Sequence, residues 1–377
     1  MIISIRNSCA DPSSYRAARI KSMFNVEERG NGFALDADLP ADDPSWQIGV
    51  IVGPSGSGKS SLGRCFWPDT QIADLSVDWP TDKPVIDAIA PGISIDVVTS
   101  SLASVGLGDV PAWLRPYHVL SVGEQFRAGL ARIIAEPPAR IIVDEFTSAL
   151  DRNVARTGAL AFAKAWRRTS GQCLLLTCHR DILAWIQPDW YYDTAEGVLH
   201  SGRCLRRPQL NIDIYKTGWR YWPLFEPHHY LKLPNMITAI TYVGFIDDTP
   251  VCHAGVSTHY KGKGKIEARI ARIVVMPEYQ GIGIGHRFVN QIAEWCLQGS
   301  PEARLPGRPM TTLINTSHPG FARTLRNDLH WRQITAKLAA SKSITLKSSY
   351  QIKAKYGGHF RAILGFRYVG DTGLAQY

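Results

Sequence analysis

The sequence predicts a two-domain α/β protein, a unit built on a strand–loop–helix phosphate cradle followed by an α+β unit on a central mixed sheet. Three observations carry this. The apolar run Gln47-Ile48-Gly49-Val50-Ile51-Val52 leads directly into Gly53-Pro54-Ser55-Gly56-Ser57-Gly58-Lys59-Ser60. A second apolar run, Ile273-Val274-Val275, leads through Met276-Pro277-Glu278-Tyr279 into Gln280-Gly281-Ile282-Gly283-Ile284-Gly285. The charge also changes sign along the chain. Residues 1–204 hold 19 Lys+Arg against 23 Asp+Glu, net −4; residues 205–377 hold 23 against 10, net +13.

At 377 residues the chain exceeds a single compact core and suits two domains. The seven cysteines form no C-x-x-C pair and no zinc-type cluster, which fits a reducing cytoplasm. The start has no charged segment before an apolar stretch, so no secretory signal is expected. No apolar run approaches the roughly 20 residues that cross a bilayer, so no membrane partner segment is expected within the chain. The basic second half points to an anionic partner.

Each element of the first half has a local reason. In a strand–loop–helix setting, glycines let successive backbone N–H groups turn toward phosphate oxygens, and the helix N-terminus adds a favourable dipole. Gly53 through Ser60, with Ser61, form such a cradle. Lys59 is placed to reach β/γ oxygens and Ser60 to ligand Mg²⁺. A second buried strand, Arg140-Ile141-Ile142-Val143, ends in Asp144-Glu145. Two carboxylates at a strand terminus suit a metal ligand (Asp144) and a base that orients the attacking water (Glu145). A third strand, Cys173–Thr177, delivers His179, read as a γ-phosphate sensor rather than a structural histidine.

Residues 1–200 resemble the nucleotide-binding domain of the ABC ATPase superfamily. The motifs occur in order: the Gly53–Ser60 loop, the signature-like Leu120-Ser121-Val122-Gly123-Glu124, the Asp144-Glu145 pair, Ser148-Ala149-Leu150-Asp151, and His179. The resemblance implies ATP and Mg²⁺ as cofactors. It also implies a homodimer in which Ser121 and Gly123 contact the nucleotide of the opposite copy. Several residues depart from the transporter pattern. Only about 60 residues separate the phosphate loop from Leu120, a short helical insert. No clear Q-loop glutamine is present, since Gln71 lies too near the loop. Glu124 replaces the usual glutamine and Phe146 the usual proline. These favour an ATPase working without a membrane subunit. Phe24 and Phe33 are both candidates for stacking on adenine.

The boundary is placed at 204/205, within an aromatic-rich junction over about 185–235, and Asp193–Gly197 is read as a hairpin turn closing the first domain. The junction aromatics serve either packing or base stacking. Beyond it, 238–246 and 251–257 read as a hairpin through Asp247-Asp248-Thr249-Pro250, Lys261–Lys265 as a flexible basic loop, and Ile266–Val275 as a strand. His286–Leu297 reads as a helix with Phe288, Val289, Ile292, Ala293 and Leu297 on one face.

With Ile273–Val275 before it and Pro277 between, Gln280–Gly285 gives residues 220–377 a resemblance to the GNAT acetyltransferase superfamily. The overall expectation is an α/β chain: a P-loop ABC ATPase domain followed by an α+β GNAT-like domain. The resemblance implies acetyl-CoA, or another acyl-CoA, as the acyl donor. Ile273, Val274 and Val275 would hold its pantetheine arm through main chain, and Gln280, Gly281, Ile282, Gly283, Ile284 and Gly285 its pyrophosphate. Glu267 is the candidate base. No tyrosine occupies Thr316–Phe321, so His318 is the candidate acid, and His228-His229-Tyr230 is a further cluster with packing as its alternative. From Leu329 to Gly370 no acidic residue occurs, while Arg332, Lys337, Lys342, Lys347, Lys353, Lys355, Arg361 and Arg367 alternate with aromatics. That pattern suits nucleic acid, or a solvated outer face. The expected activity is ATP-controlled N-acyl transfer to a nucleic-acid amine. Protein amines as acceptor, or a GNAT fold serving only recognition, are the alternatives.

Overall fold

A computed structural model describes residues 1–8, 14–24, 32–202, 210–229, 239–262, 265–339 and 361–371. The chain forms two compact units. The first comprises Met1–Val77, Pro137–Ala159 and Ala163–Pro208; the second comprises Asp78–Glu136, Leu160–Phe162 and Gln209–Tyr377.

The first unit contains β1 (Ile2–Ser8), β2 (Gly32–Asp38), β3 (Ile48–Val52), β4 (Ile72–Ala73), β5 (Arg140–Val143), β6 (Gln172–Thr177), β7 (Trp190–Asp193) and β8 (Val198–Ser201). Six strands form one sheet in the order β4-β5-β6-β3-β7-β8. All neighbours are parallel except β7 and β8, which close antiparallel around Gly197 at φ 67°. Parallel strands covered on both faces need apolar side chains throughout, and every residue of β3 and β6 is buried. Gly49 is required by packing, because a Cβ there would lie 2.3 Å from the Trp190 ring. Trp190 in turn joins Trp46, Phe66 and Trp67 in an aromatic cluster. β1 and β2 pair antiparallel and share this core through Ile3, Ile5 and Ala37.

In the second unit, helices Ile95–Ser104 and Val122–Ala135 accompany a seven-stranded mixed sheet. Its strands are β9 (Asp213–Thr217), β10 (Ile240–Ile246), β11 (Thr249–Gly262), β12 (Lys265–Val275), β13 (Thr312–Thr316), β14 (Trp331–Ala339) and β15 (Arg361–Tyr368), in the order β14-β15-β13-β12-β11-β10-β9. The expected four-residue turn is two residues long. Asp247 and Asp248 both take left-handed φ, 48° and 62°, the geometry that matches strand twist in a tight hairpin. The basic loop is likewise short: β11 runs to Gly262 and β12 starts at Lys265, with 263–264 outside the described residues. The helix after the second glycine loop spans Ile284–Gln298. Phe288, Val289, Ile292 and Ala293 are fully buried as expected, and Cys296 is fully buried where Leu297 is only partly so.

β12 and β13 pair parallel only through Ala268–Ile270 and Thr312–Ile314. β12 then runs on to Val275 without a β13 register partner. At the same place β12 bulges toward β11, because Arg272 opposes Gly255 and Ile270 opposes Val256, leaving Ala271 extra. Bulges bend a strand and recur beside functional sites. Much of the basic tract, including Lys342, Lys347, Lys353 and Lys355, lies outside the described residues, as do Tyr230 and the side chains of Phe24 and Phe33.

Candidate functional site: two glycine cradles

In the first unit the chemistry-bearing segments all leave the same edge of the parallel sheet. The Gly53–Ser60 loop follows β3, Asp144-Glu145 follows β5, and His179 stands two residues after β6. Ligand sites in such sheets form at the carboxyl ends of the strands. Gly56 and Gly58 take left-handed φ of 76° and 85°, and Gly58 caps helix Lys59–Phe66. Gly53 faces the Thr194 hydroxyl, and a Cβ would lie 1.9 Å from it. Thr194 Oγ1 also donates to Ser57 Oγ at 2.6 Å. Pro54, Ser55 and Gly56 are exposed at the tip, and Ser61 is partly exposed on the helix. Lys59 Nζ donates to the carbonyls of Gly53 (2.9 Å) and Pro54 (2.7 Å), which holds the ammonium across the loop.

Ser60 Oγ donates to Asp144 Oδ2 at 2.6 Å, joining residues 84 positions apart. A hydroxyl and a carboxylate oxygen held together are hard donors of the kind Mg²⁺ prefers, so the residues fit that ion. Glu145 is exposed at φ 49°, and Thr147 lies at φ 66°. Left-handed non-glycine backbone costs of order 1–3 kcal/mol per residue and persists where the surroundings enforce it. Here Phe146, 1% exposed, anchors the turn: its N–H donates to Leu176 O and its carbonyl accepts from Thr177 Oγ1. The residue at the usual proline position is therefore the bolt of this turn.

In the second unit, Ser121 caps helix Val122–Ala135 with a reciprocal capping box. Ser121 N donates to Glu124 Oε2 at 2.8 Å, and Glu124 N donates to Ser121 Oγ at 3.4 Å. Glu124 thus has a local reason to be there. Ser121 is exposed and Gly123 partly so.

The second glycine loop repeats the backbone of the first. Gly281 and Gly283 take φ 84° and 92°, and Gly283 caps helix Ile284–Gln298, matching Gly56, Gly58 and helix Lys59–Phe66. Such paired left-handed residues before a helix aim N–H groups at one point and suit an anion. The residues therefore fit the pyrophosphate of an acyl-CoA. Ile282 is partly exposed and Ile284 buried, and Gly285 is required by Val275, whose Cγ2 would lie 2.9 Å from a Cβ. Ile273, Val274 and Val275 occupy the part of β12 beyond its pairing with β13. The side chains of Ile273 and Val275 face the Ile284–Gln298 helix, and that of Val274 faces Trp222 and Phe225.

This loop has partners that the sequence did not announce. Arg127, 3% exposed on the signature helix, donates to the carbonyls of Val105 (3.2 Å), Glu278 (3.0 Å) and Gln280 (3.4 Å). Burial pushes its guanidinium down to about 10, partly offset by Glu278. Gln280 Oε1 accepts from Gly108 N at 2.8 Å, and Gln280 Nε2 donates to Val275 O at 2.9 Å. Gly281 and Gly106 meet backbone to backbone, so a Cβ on Gly281 would lie 2.7 Å from Gly106 N. One signal was legible: an arginine at a position of apolar periodicity, beside Ala128, Leu130 and Ala131.

The expected transferase catalysts are otherwise employed. His318 caps helix Pro319–Arg326: its Nδ1 accepts from Phe321 N at 3.1 Å, which leaves Nε2 to donate to Gly108 O at 3.1 Å. Burial lowers its pKa. The ring proposed as the acid thus serves in this structure as a cap and a tether, with both nitrogens bonded to main chain. Glu267 Oε1 accepts from Lys261 Nζ (3.1 Å) and Arg367 (3.2 Å), so that one oxygen is shared between two cations. His229 is buried against Trp222 and His228 is partly exposed. Sequence reasoning passed over His253, which is fully buried among Trp219, Trp222 and Phe225, with neither ring nitrogen hydrogen-bonded to any of the described residues. Burial, and then Arg272, hold it down to about 4. An open groove of about 410 Å³ on β9 and β10 is lined by Tyr215, Arg220, Tyr221, Phe245, Asp213 and Asp248, among others.

Fold and site together define a P-loop ATPase carrying a second glycine-loop cradle that suits an anion. Comparison with known proteins gives the families. Residues 211–303 match the model of the Acetyltransferase (GNAT) family. The chain is similar to the cytochrome c biogenesis ATP-binding export protein CcmA of Rhodospirillum rubrum, 32% identical over 161 residues, 35% of this chain and 68% of the relative. It is also similar to a phosphonates import ATP-binding protein of Natronomonas pharaonis, at 27% identity over 49% of this chain and 91% of the relative. Among solved structures, a bacterial Atm1-family ABC exporter with ATP bound matches at 18% identity and TM-score 0.34, over 46% of this chain and 36% of that one. The chain belongs to the ABC ATP-binding proteins and carries a GNAT acetyltransferase domain after the ATPase. Among the described residues no helix is long and apolar enough to cross a membrane.

Proposed function

We propose that the chain is an ATP-controlled N-acyltransferase of the cytoplasm, with an ATPase domain at 1–204 and an acyltransferase domain at 205–377. The observation that carries this is the shared backbone of the two glycine loops, Gly56/Gly58 and Gly281/Gly283, each capping its own helix. The Gly53–Ser61 segment holds the phosphates of ATP, with Lys59 as the point charge. Ser60 and Asp144 hold Mg²⁺, which when bound neutralises phosphate charge. Glu145 orients the attacking water and His179 contacts the terminal phosphate. Ser121 and Gly123, at the accessible end of their helix, reach the nucleotide of a second copy, so ATP closes a homodimer. Gln280–Gly285 holds the pyrophosphate of acetyl-CoA or another acyl-CoA, and Ile273–Val275 its pantetheine arm.

The acceptor we propose is an amine on RNA or DNA. The net +13 of residues 205–377 supports an anionic partner. The β9–β10 groove supports a base site: Tyr215 is 58% exposed for stacking, and Asp213 and Asp248 offer acceptors to exocyclic amines. The test incubates the protein with labelled acetyl-CoA, ATP and separate pools of tRNA, DNA and protein. Label in a nucleic acid is the expected result, and label in protein alone would replace the acceptor.

A second reading, with the GNAT fold as a recognition module, is favoured by the occupied states of Glu267 and His318. It predicts ATP turnover with no labelled product in any pool.

A further inference from the structure

We propose that Arg127 and Gln280 join the signature helix to the second glycine cradle, so that nucleotide engagement at the signature helix changes the affinity of the Gln280–Gly285 loop for coenzyme A. The inference rests on the reading that these sites bind ATP and acyl-CoA. Its geometry is independent of that reading. Ser121 caps the helix on which Arg127 stands six residues later, a separation of about 9 Å along one rigid element. From that helix Arg127 grips two carbonyls of the loop, those of Glu278 and Gln280. Gln280 then bridges Gly108 N on one side to Val275 O, the end of β12, on the other. Hence any displacement at Ser121 reaches both the pyrophosphate cradle and the strand proposed to hold the pantetheine arm.

The joint is stiff. At Gly106 and Gly281 main chain meets main chain, and a Cβ on Gly106 would lie 2.4 Å from Gln280 O. Three further contacts hold the same helical segment to the sheet domain. His318 bonds Gly108 O, Arg323 bonds Ser100, and Gly320 packs on Ala103. A packed contact without soft side chains does not absorb a shift but passes it on. Arg127 is therefore a positioning residue, acting on the acyl-donor site through Gln280.

The experiment is calorimetric titration of the full-length protein with coenzyme A, with and without a non-hydrolysable ATP analogue and Mg²⁺. The expected result is a shift in coenzyme A affinity of about tenfold, within the usual range for coupled sites. By linkage, saturating coenzyme A must shift the affinity for the analogue by the same factor. Arg127→Gln and Gly106→Ala should each reduce the factor below about twofold while both ligands still bind, and Arg127→Lys should restore part of it. If Arg127→Gln fails to fold by circular dichroism, Arg127→Lys, which keeps the charge but not the fork, decides by lowering the factor in part. Affinities that ignore each other in the native protein would overturn the joint, as would variants that keep the full factor. Coenzyme A that never binds would instead overturn the acyl-donor reading on which it rests.

Discussion

Glu145 sits exposed in a left-handed turn fixed by Phe146, so the carboxylate is presented by backbone geometry rather than by its own contacts. Glu145→Gln should lower ATP turnover at least about 100-fold, the usual worth of a positioned base, while leaving nucleotide binding intact. Size-exclusion chromatography of that variant with ATP should show a dimer, and a monomer at every ATP concentration would remove the shared-site proposal. His253 offers a second test. A buried imidazole with two unbonded nitrogens forfeits its hydrogen bonds to water, so His253→Leu should raise stability by about 1 kcal/mol in denaturant unfolding. Loss of acyl transfer in a well-folded His253→Leu protein would instead give the ring a part in the reaction. At this scale the first cradle was legible because Gly53–Ser60, Asp144 and Glu145 each follow an apolar strand run. The employment of Glu267 and His318 was not, because Lys261, Arg367 and Gly108 come to them only in the folded chain.

Helix Val122–Ala135 depends on its reciprocal cap, and losing the serine side of such a cap costs about 1 kcal/mol. Ser121→Ala should therefore lower the denaturant midpoint, whereas Glu124→Gln, which can still bond back to Ser121 N, should leave it nearly unchanged. A second element-level device ties the Ile284–Gln298 helix to β14. Asp328 accepts from Asn290 (2.8 Å) and pairs with His286 (2.6 Å) and His330 (2.7 Å), and His330 also pairs with Asp371. Burial works to raise Asp328, but the bonds from Asn290, His330 and His286 outweigh it and hold it down to about 2. Bonding to Asp328 raises His330. A raised histidine stabilises fully below its unfolded value near 6.5 and loses that contribution as pH rises through its folded value. A lowered aspartate stabilises above its unfolded value near 3.9 and loses it as pH falls toward 2. The Tm contribution of this network should then be greatest between about pH 4 and 6.5, and Asp328→Asn should flatten the decline measured above that window. Strand and helix periodicity made the elements readable. The network itself was not, since residues 286, 328 and 371 are far apart in sequence.

For the whole molecule, the charge division makes a claim about partners that salt can test. Binding of a single-stranded oligonucleotide should weaken linearly in log affinity against log salt, with a slope near −4 for about six neutralised phosphates. Tyr215→Ala should weaken binding at every salt without changing the slope, and Arg220→Ala should reduce the slope by about one. Absence of retention at low salt would turn the proposal toward a protein acceptor. Two glycine loops and a change of charge led the sequence reading to two domains split at 204/205. What could not be read was that Asp78–Glu136, carrying the signature, forms one compact unit with the sheet of the second half. No periodicity reports which of two cores a helix will join. That association leaves a mark open to inspection in any set of natural sequences. The chain pinches to bare main chain at Gly106, where even one methyl group would strike the residue opposite. Cousins of this ATPase that lack an acetyltransferase half have no Gln280 carbonyl to strike, only whatever side chain stands at the Arg127 position, so more amino acids that tolerate the turn are free to stand there. Those that kept both halves should keep the smallest one.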